Sequence, residues 1–246
     1  MNIRTLLPAL LIFSTALLQA GPEKIIVSGA TYHILRVPAE VVRIVWKDDS
    51  GKPLRTIPMA ARYFKGQGVA VESLMNGGIF EPGGIPSGLL VQDGQELRPV
   101  NMDKGYGNFF LKPNGIFLIS TSGAAVIETG EYPVKDMEVR YAVQSGPLLM
   151  REGRIHPAFN QKSESRLHRN GVGVDKNGNV VLAISDLNSK KFPNLYEFSE
   201  LFRSLGCKDA LFLDGDISQL RSGEQLEERS NQFGSMIGVL ELPKSE

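Results

Sequence analysis

The 246-residue chain is poor in the residues that define several protein classes. It has one cysteine, three histidines and one tryptophan, and its 27 Lys+Arg are balanced by 27 Asp+Glu. A lone Cys207 closes no internal disulfide, and His33, His156 and His168 are too few and too scattered to spell a zinc signature. Zero formal charge removes whole-molecule attraction to nucleic acid or to an acidic membrane surface, so the sequence points to neither as a partner. The N-terminal apolar run, 6–18, is about 13 residues long and broken by Pro8, short of the roughly 20 that span a bilayer. A hydrophobic share of 42% excludes disorder as the main state.

What remains is a globular chain with 26 glycines and a leader-like start. Arg4, the apolar run and Ala20 before Gly21 read as a secretory signal peptide over residues 1–20, leaving a mature domain of residues 21–246. No cysteine follows the run, so acylation is not expected and the mature protein is expected to be free of a membrane anchor. The expected location is periplasmic or secreted.

The mature chain is patterned mostly as short strands, β-branched or aromatic, separated by turn residues. Three turns read as hairpins: 113–115 joining strands at 109–111 and 116–120, 151–153, and 175–179. Two helices are expected. Residues 194–205 have Asn194 as cap, Glu197 three residues on, an apolar face from Leu195 to Leu205, and Gly206 as stop. Residues 56–65 have Thr56 as cap, Pro58 in the first turn and Gly66 as stop. The order implies an α+β domain with a mixed, mostly antiparallel sheet and no second domain.

Four segments carry more polar chemistry than packing requires. In the first, Glu72 lies in a strand that ends at Asn76, Gly77 and Gly78. Those residues read either as a ligand-binding strand end or as a turn whose Asn bonds its own backbone. The second bends at Ser145, Gly146 and Pro147, as a bulge or as a binding hydroxyl. The third, 163–174, places Arg166, His168, Arg169 and Asn170 before an apolar strand. It is either a solvated charged loop or an anion site. In the fourth, an apolar strand delivers Asp214 and Asp216 around Gly215, followed by Ser218, and Asp186 ends another such strand. Carboxylates at the ends of buried strands are disfavoured by desolvation, which favours function for Asp214.

Taken in order, the Asn-Gly-Gly segment at 76–80, the Ser-Gly-Pro bend at 145–147, Arg169 with its small-residue strand, and the Asp-Gly at 214–215 resemble the phosphodiester glycosidase family. That family includes the lysosomal uncovering enzyme. The resemblance implies cleavage of a glycosidic bond to phosphate in a phosphorylated carbohydrate or glycan. The chemistry of that cleavage, with an oxocarbenium-like transition state and a departing phosphate, then assigns Asp214 as base or nucleophile, Arg169 to the phosphodiester, and Asp186 and Glu72 to sugar hydroxyls or water, with the carboxylate roles interchangeable. Asn76 with Gly77 and Gly78, and Ser145 with Gly146, then contact substrate, as do Asn170, Asp216 and Ser218. Two departures fall near substrate: Asn170 where the uncovering enzyme type has Thr, and 216–219 in place of a longer glycine- and hydroxyl-rich run. The alternatives are a non-catalytic sugar-phosphate or glycan binder, or a site with a divalent metal on Asp186, Asp214 and Asp216. Apart from that metal, the sequence calls for no cofactor.

Overall fold

The computed structural model describes residues 21–241, so the expected leader lies outside the described residues. A seven-stranded sheet runs, in spatial order, β1 (Glu23–Val27), β2 (Ala30–Val37), β15 (Val180–Ser185), β14 (Asn170–Asp175), β16 (Cys207–Asp214), β12 (Leu148–Arg151) and β13 (Arg154–Ile155). A five-stranded sheet has β10 (Gly123–Glu128), β9 (Gly115–Ser120), β11 (Val139–Ser145), β7 (Leu90–Gln92) and β8 (Gln95–Arg98). The third sheet has β17 (Leu220–Ser222), β4 (Val71–Asn76), β18 (Met236–Leu240) and β3 (Val42–Val45). A small ribbon pairs β5 (Phe80–Glu81) with β6 (Ile85–Pro86). The strand pairs are antiparallel, and the α+β, mostly antiparallel domain expected from the sequence is what forms.

The three main sheets bury their inner faces against one another. Val172, Leu182 and Leu211 of the first meet Phe117 and Val143 of the second and Ile44, Met75 and Ile237 of the third. Each helix then covers an outer face. Helix α2 (Leu195–Ser204) lays Phe198 and Phe202 on Tyr32, Ala183 and Phe212. Helix α1 (Ile57–Gly66) lays Ile57, Ala60 and Phe64 on Leu74 and Met236.

Both helix starts are those the sequence spells. Asn194 accepts from the Glu197 N–H at 2.9 Å while Glu197 reaches back to the Asn194 N–H, and Thr56 accepts from the Met59 N–H. Helix α2 stops at Gly206, in the left-handed region with φ 83°. Helix α1 runs through Gly66 to a cap at Gln67, one residue past the expected stop. The hairpins at 151–153 and 175–179 form, joining β12 to β13 and β14 to β15. The one at 113–115 does not, because residues 108–110 are a 3-10 turn and supply no first strand. Asn114 is buried and donates to the Phe109 carbonyl at 2.8 Å, and Phe109 packs inside, so the apolar 109–111 run is a plug.

β14 is antiparallel to both β15 and β16, so its first residue, Asn170, is flanked by the ends of both neighbours, paired with Ile184 and Asp214. The last residues of β4 and β11 reach the same edge, which brings polar groups from all three sheets together.

Candidate active site

Asn170 is the centre of that junction. Fully buried, it donates through Nδ2 to the Asn76 carbonyl at 2.9 Å and to Asn76 Oδ1 at 3.1 Å. Its Oδ1 accepts from the Asp214 N–H at 2.8 Å and the Ser218 hydroxyl at 3.1 Å. Asn76 Oδ1 also takes the Gln219 N–H at 2.9 Å, and the Asn76 N–H donates to the Gln219 carbonyl at 3.2 Å. One amide thus fastens a strand end of the four-stranded sheet to two strands of the seven-stranded sheet and to the 215–219 turn.

Ser145 adds the third sheet. Its hydroxyl donates to the Leu213 carbonyl at 2.8 Å and accepts from the Ile79 N–H at 3.2 Å. The backbone on either side of the Asp214 peptide is therefore held by side chains from other strands, Leu213 by Ser145 and Asp214 by Asn170. The Asp214 carboxylate itself receives only the Gly215 N–H, at 2.8 Å. Burial, with Asp216 nearby, pushes its pKa up to about 6 against that single hydrogen bond. A carboxylate that titrates near neutrality, on a backbone fixed from both sides, suits a base or nucleophile.

His168 braces the turn. Burial lowers its pKa, so the neutral ring donates from Nε2 to the Ser218 carbonyl at 3.0 Å and takes the Ser185 hydroxyl at Nδ1, 2.9 Å away. The sequence offered His168 as a loop residue, and the structure buries it. Gln219, which completes the Asn76 pairing, carried no signal because its contacts are made through the main chain.

Other expected site residues are placed differently. Arg169 is buried, with Nε on the Pro193 carbonyl at 3.2 Å, Nη2 on the Ser165 carbonyl at 3.1 Å, and the guanidinium over the Phe212 ring. Burial lowers its pKa to about 10. Two of its nitrogens are spent on main-chain carbonyls, tying the 163–169 loop to the start of α2. Glu72 lies four residues from Asn76 along β4, about 13 Å at strand rise, and accepts the Gly21 N–H at 2.8 Å.

Asp186 lies at the same sheet edge as Asp214, but β14 separates them, which puts the strands about 10 Å apart. Its carboxylate is engaged by Lys24 Nζ at 2.8 Å, the Asn188 N–H at 2.8 Å and His33 Nε2 at 3.3 Å, and the Lys24 bond leads in lowering its pKa. Asp216 is exposed. Among the described residues no three His, Cys, Asp or Glu side chains gather as a metal site, so the three-aspartate alternative is not assembled.

The glycines approach protein rather than leaving space for ligand. A Cβ on Gly78 would stand 2.8 Å from the Gln144 carbonyl and 3.0 Å from Ser145 Cβ, and one on Gly77 2.4 Å from Ser235 Oγ. Gly146 and Gly171 are pressed likewise, whereas Gly215 has open room. Beside the junction lies a cavity of about 310 Å³, walled by His33, His168, Asp186, Ser218, Gln219 and Arg221 among others.

The sequence profile of the phosphodiester glycosidase family matches residues 70–234, a span that holds Asn76, Ser145, Asn170 and Asp214. The chain belongs to that family. A relative in Escherichia coli K12, the uncharacterized protein YigE, is 32% identical over 202 residues, covering 81% of this chain and 77% of YigE. The fold is similar to the catalytic domain of zebrafish N-acetylglucosamine-1-phosphodiester alpha-N-acetylglucosaminidase, auto-inhibited by its pro-peptide. That match has a TM-score of 0.62 at 17% identity, over 90% of this chain and 82% of that one. A putative exported protein of Burkholderia pseudomallei matches at a TM-score of 0.51 and 12% identity, over 86% of this chain and 74% of that one. Family membership suggests a phosphodiester glycosidase-like activity, which in this family is directed at phosphorylated sugars. No helix among the described residues is long and apolar enough to cross a membrane.

Proposed function

We propose that this protein is an exported hydrolase that cleaves the bond between a sugar's anomeric carbon and a phosphodiester oxygen in envelope or environmental glycans, releasing the sugar and a phosphomonoester. The observation that carries the reading is Asp214. Its carboxylate has no cationic partner among the described residues, its pKa is raised to about 6, and its peptide is held from two other strands.

In this reading Asp214, ionised above pH 6, is the base or nucleophile toward the anomeric centre, and the departing phosphate needs little protonation. Its oxocarbenium-like transition state is stabilised by nearby negative charge, supplied by the same carboxylate. Asn76 has an Nδ2 donor held only loosely, by the Gly77 carbonyl at 3.4 Å, and offers it to a substrate hydroxyl. Ser145 and Asn170 act through Asp214 as positioning residues, because their polar atoms are spent on the protein. Secretion through the leader and release into the periplasm or medium accompany the proposal.

The test is product analysis with purified protein on a panel of sugar-1-phosphodiesters. Free sugar and phosphomonoester are expected from the wild type, and Asp214→Asn should lower the rate by about 100-fold or more. Full activity in Asp214→Asn would overturn the assignment. Saturable binding with no product would establish the non-catalytic binder instead.

A further inference from the structure

The cavity beside the junction holds a charge that the protein leaves unmatched. Arg221 lies on β17, paired through its backbone with Leu74 of β4, and lines the cavity two residues beyond Gln219. Its Nε is shut away from solvent without a hydrogen-bond partner. Its guanidinium has no ion pair among the described residues, whereas Arg36, Arg151, Arg166 and Arg203 each meet a carboxylate. A partly buried guanidinium left without an anion is costly, which is tolerated where a ligand in the cavity supplies one. Arg55 and Arg98 also bury an unbonded Nε, but neither lines this cavity.

The rest of the wall does not supply the missing anion. Asp186 is the one carboxylate lining the cavity, and it is already bound by Lys24 and His33. Asn188, Gln219, Ser222 and Gln225 line the remainder with neutral polar groups. The cavity shares Ser218 and Gln219 with the Asp214 junction, where they bond Asn170 and Asn76. A ligand seated here therefore lies beside the groups that hold Asp214.

We infer that this cavity is an anion subsite in which Arg221 binds the phosphate group of the substrate, the task for which the sequence had offered Arg169. A planar guanidinium presents a fork of N–H donors that matches two phosphate oxygens, and Arg169 has already given its Nε and one terminal nitrogen to carbonyls. Arg221 is in this way a specificity residue, selecting phosphorylated over neutral glycosides. The inference rests on the hydrolase reading only for the identity of the full substrate; the anion subsite stands on the cavity itself.

The experiment uses inorganic phosphate as probe and the variants Arg221→Gln and Arg221→Lys in the otherwise unaltered protein. Phosphate binding is measured by calorimetry, and kcat and KM are measured on a sugar-1-phosphodiester and on a neutral aryl glycoside of the same sugar. Arg221→Gln is expected to weaken phosphate binding and raise the phosphodiester KM, each by about 10-fold or more, while KM for the aryl glycoside stays put. Arg221→Lys should restore part of both. Phosphate binding that is absent in the wild type, or equal in wild type and Arg221→Gln, overturns the subsite. Arg221-dependent phosphate binding without any hydrolysis leaves the subsite standing and removes the hydrolase reading. Hydrolysis with no dependence on Arg221 does the reverse.

Discussion

At the scale of single residues, the functional proposal and the stability of the fold pull on Asp214 in opposite directions. Its native pKa of about 6 exceeds the usual aspartate value of 3.8, so the folded protein holds the proton more tightly than the unfolded chain does. Stability from this group is therefore greatest below about pH 4, falls as pH rises toward 6, and stays at the lower level above. Asp214→Asn removes the cost while keeping an acceptor for the Gly215 N–H. The variant is expected to be more stable than wild type by ~1–3 kcal/mol at pH 7.5, with the gap closing by pH 4, measured by denaturant unfolding at both pH values. Comparing variant with wild type cancels the opposite dependence of His168, whose lowered pKa makes acid destabilising. Equal stability at pH 7.5 would show that the carboxylate is not strained by burial. If Asp214 is the base, the wild-type rate should also rise with an apparent pKa near 6. This residue was legible in the sequence because an apolar strand ending in a carboxylate poses a desolvation problem. Arg169 was legible as a charge beside an apolar strand but not as a buried strut, since its acceptors are carbonyls of Ser165 and Pro193, the latter 24 residues away.

At the scale of elements, local chemistry was readable wherever the partner is local. The N-terminal caps of α1 and α2 and the hairpins at 151–153 and 175–179 depend on contacts within a few residues, and they form as read. The 109–111 segment failed because a short apolar run does not reveal whether it pairs or plugs, and here the deciding contact is Asn114 turning back to Phe109. The Asn-Gly-Gly end of β4 was singled out as a ligand-binding strand end or a turn, and its glycines prove to serve close packing against protein. Gly78 lets β4 pass directly against β11, where a Cβ would collide with the Gln144 carbonyl, a backbone atom that cannot swing aside. Gly78→Ala is expected to destabilise by ~1–3 kcal/mol and to lower activity through Ser145, which the same contact touches. A thermal melt and a rate measurement check this, and a neutral result would show that the two strands separate more easily than their spacing implies.

At the scale of the whole molecule, the site exists only because three sheets end at one place. Sequence patterning conveyed the strands but not which ends meet, since Asn76 and Asn170 are 94 residues apart and Ser145 and Leu213 are 68 apart. A double-mutant cycle on Asn76→Ala and Asn170→Ala should give a coupling of ~0.5–3 kcal/mol, read from unfolding free energies; additivity would mean that the sheets are joined elsewhere. One further contact bears on the proposed removal of the leader. Glu72 accepts the Gly21 N–H at 2.8 Å, and Pro22 lines the cavity beside Arg221. In the unprocessed chain that nitrogen is an ordinary amide. Under the proposed cleavage after Ala20 it becomes the amino terminus, and a hydrogen bond from an uncharged amide to the carboxylate is converted to an ion pair. Protein beginning at Gly21 should then exceed protein extended by one residue in stability by ~0.5–1 kcal/mol, and Glu72→Gln should erase the difference. Removal of a leader would in this way add charge to a contact the intact chain already makes, and leave a permanent electrostatic mark on the folded protein.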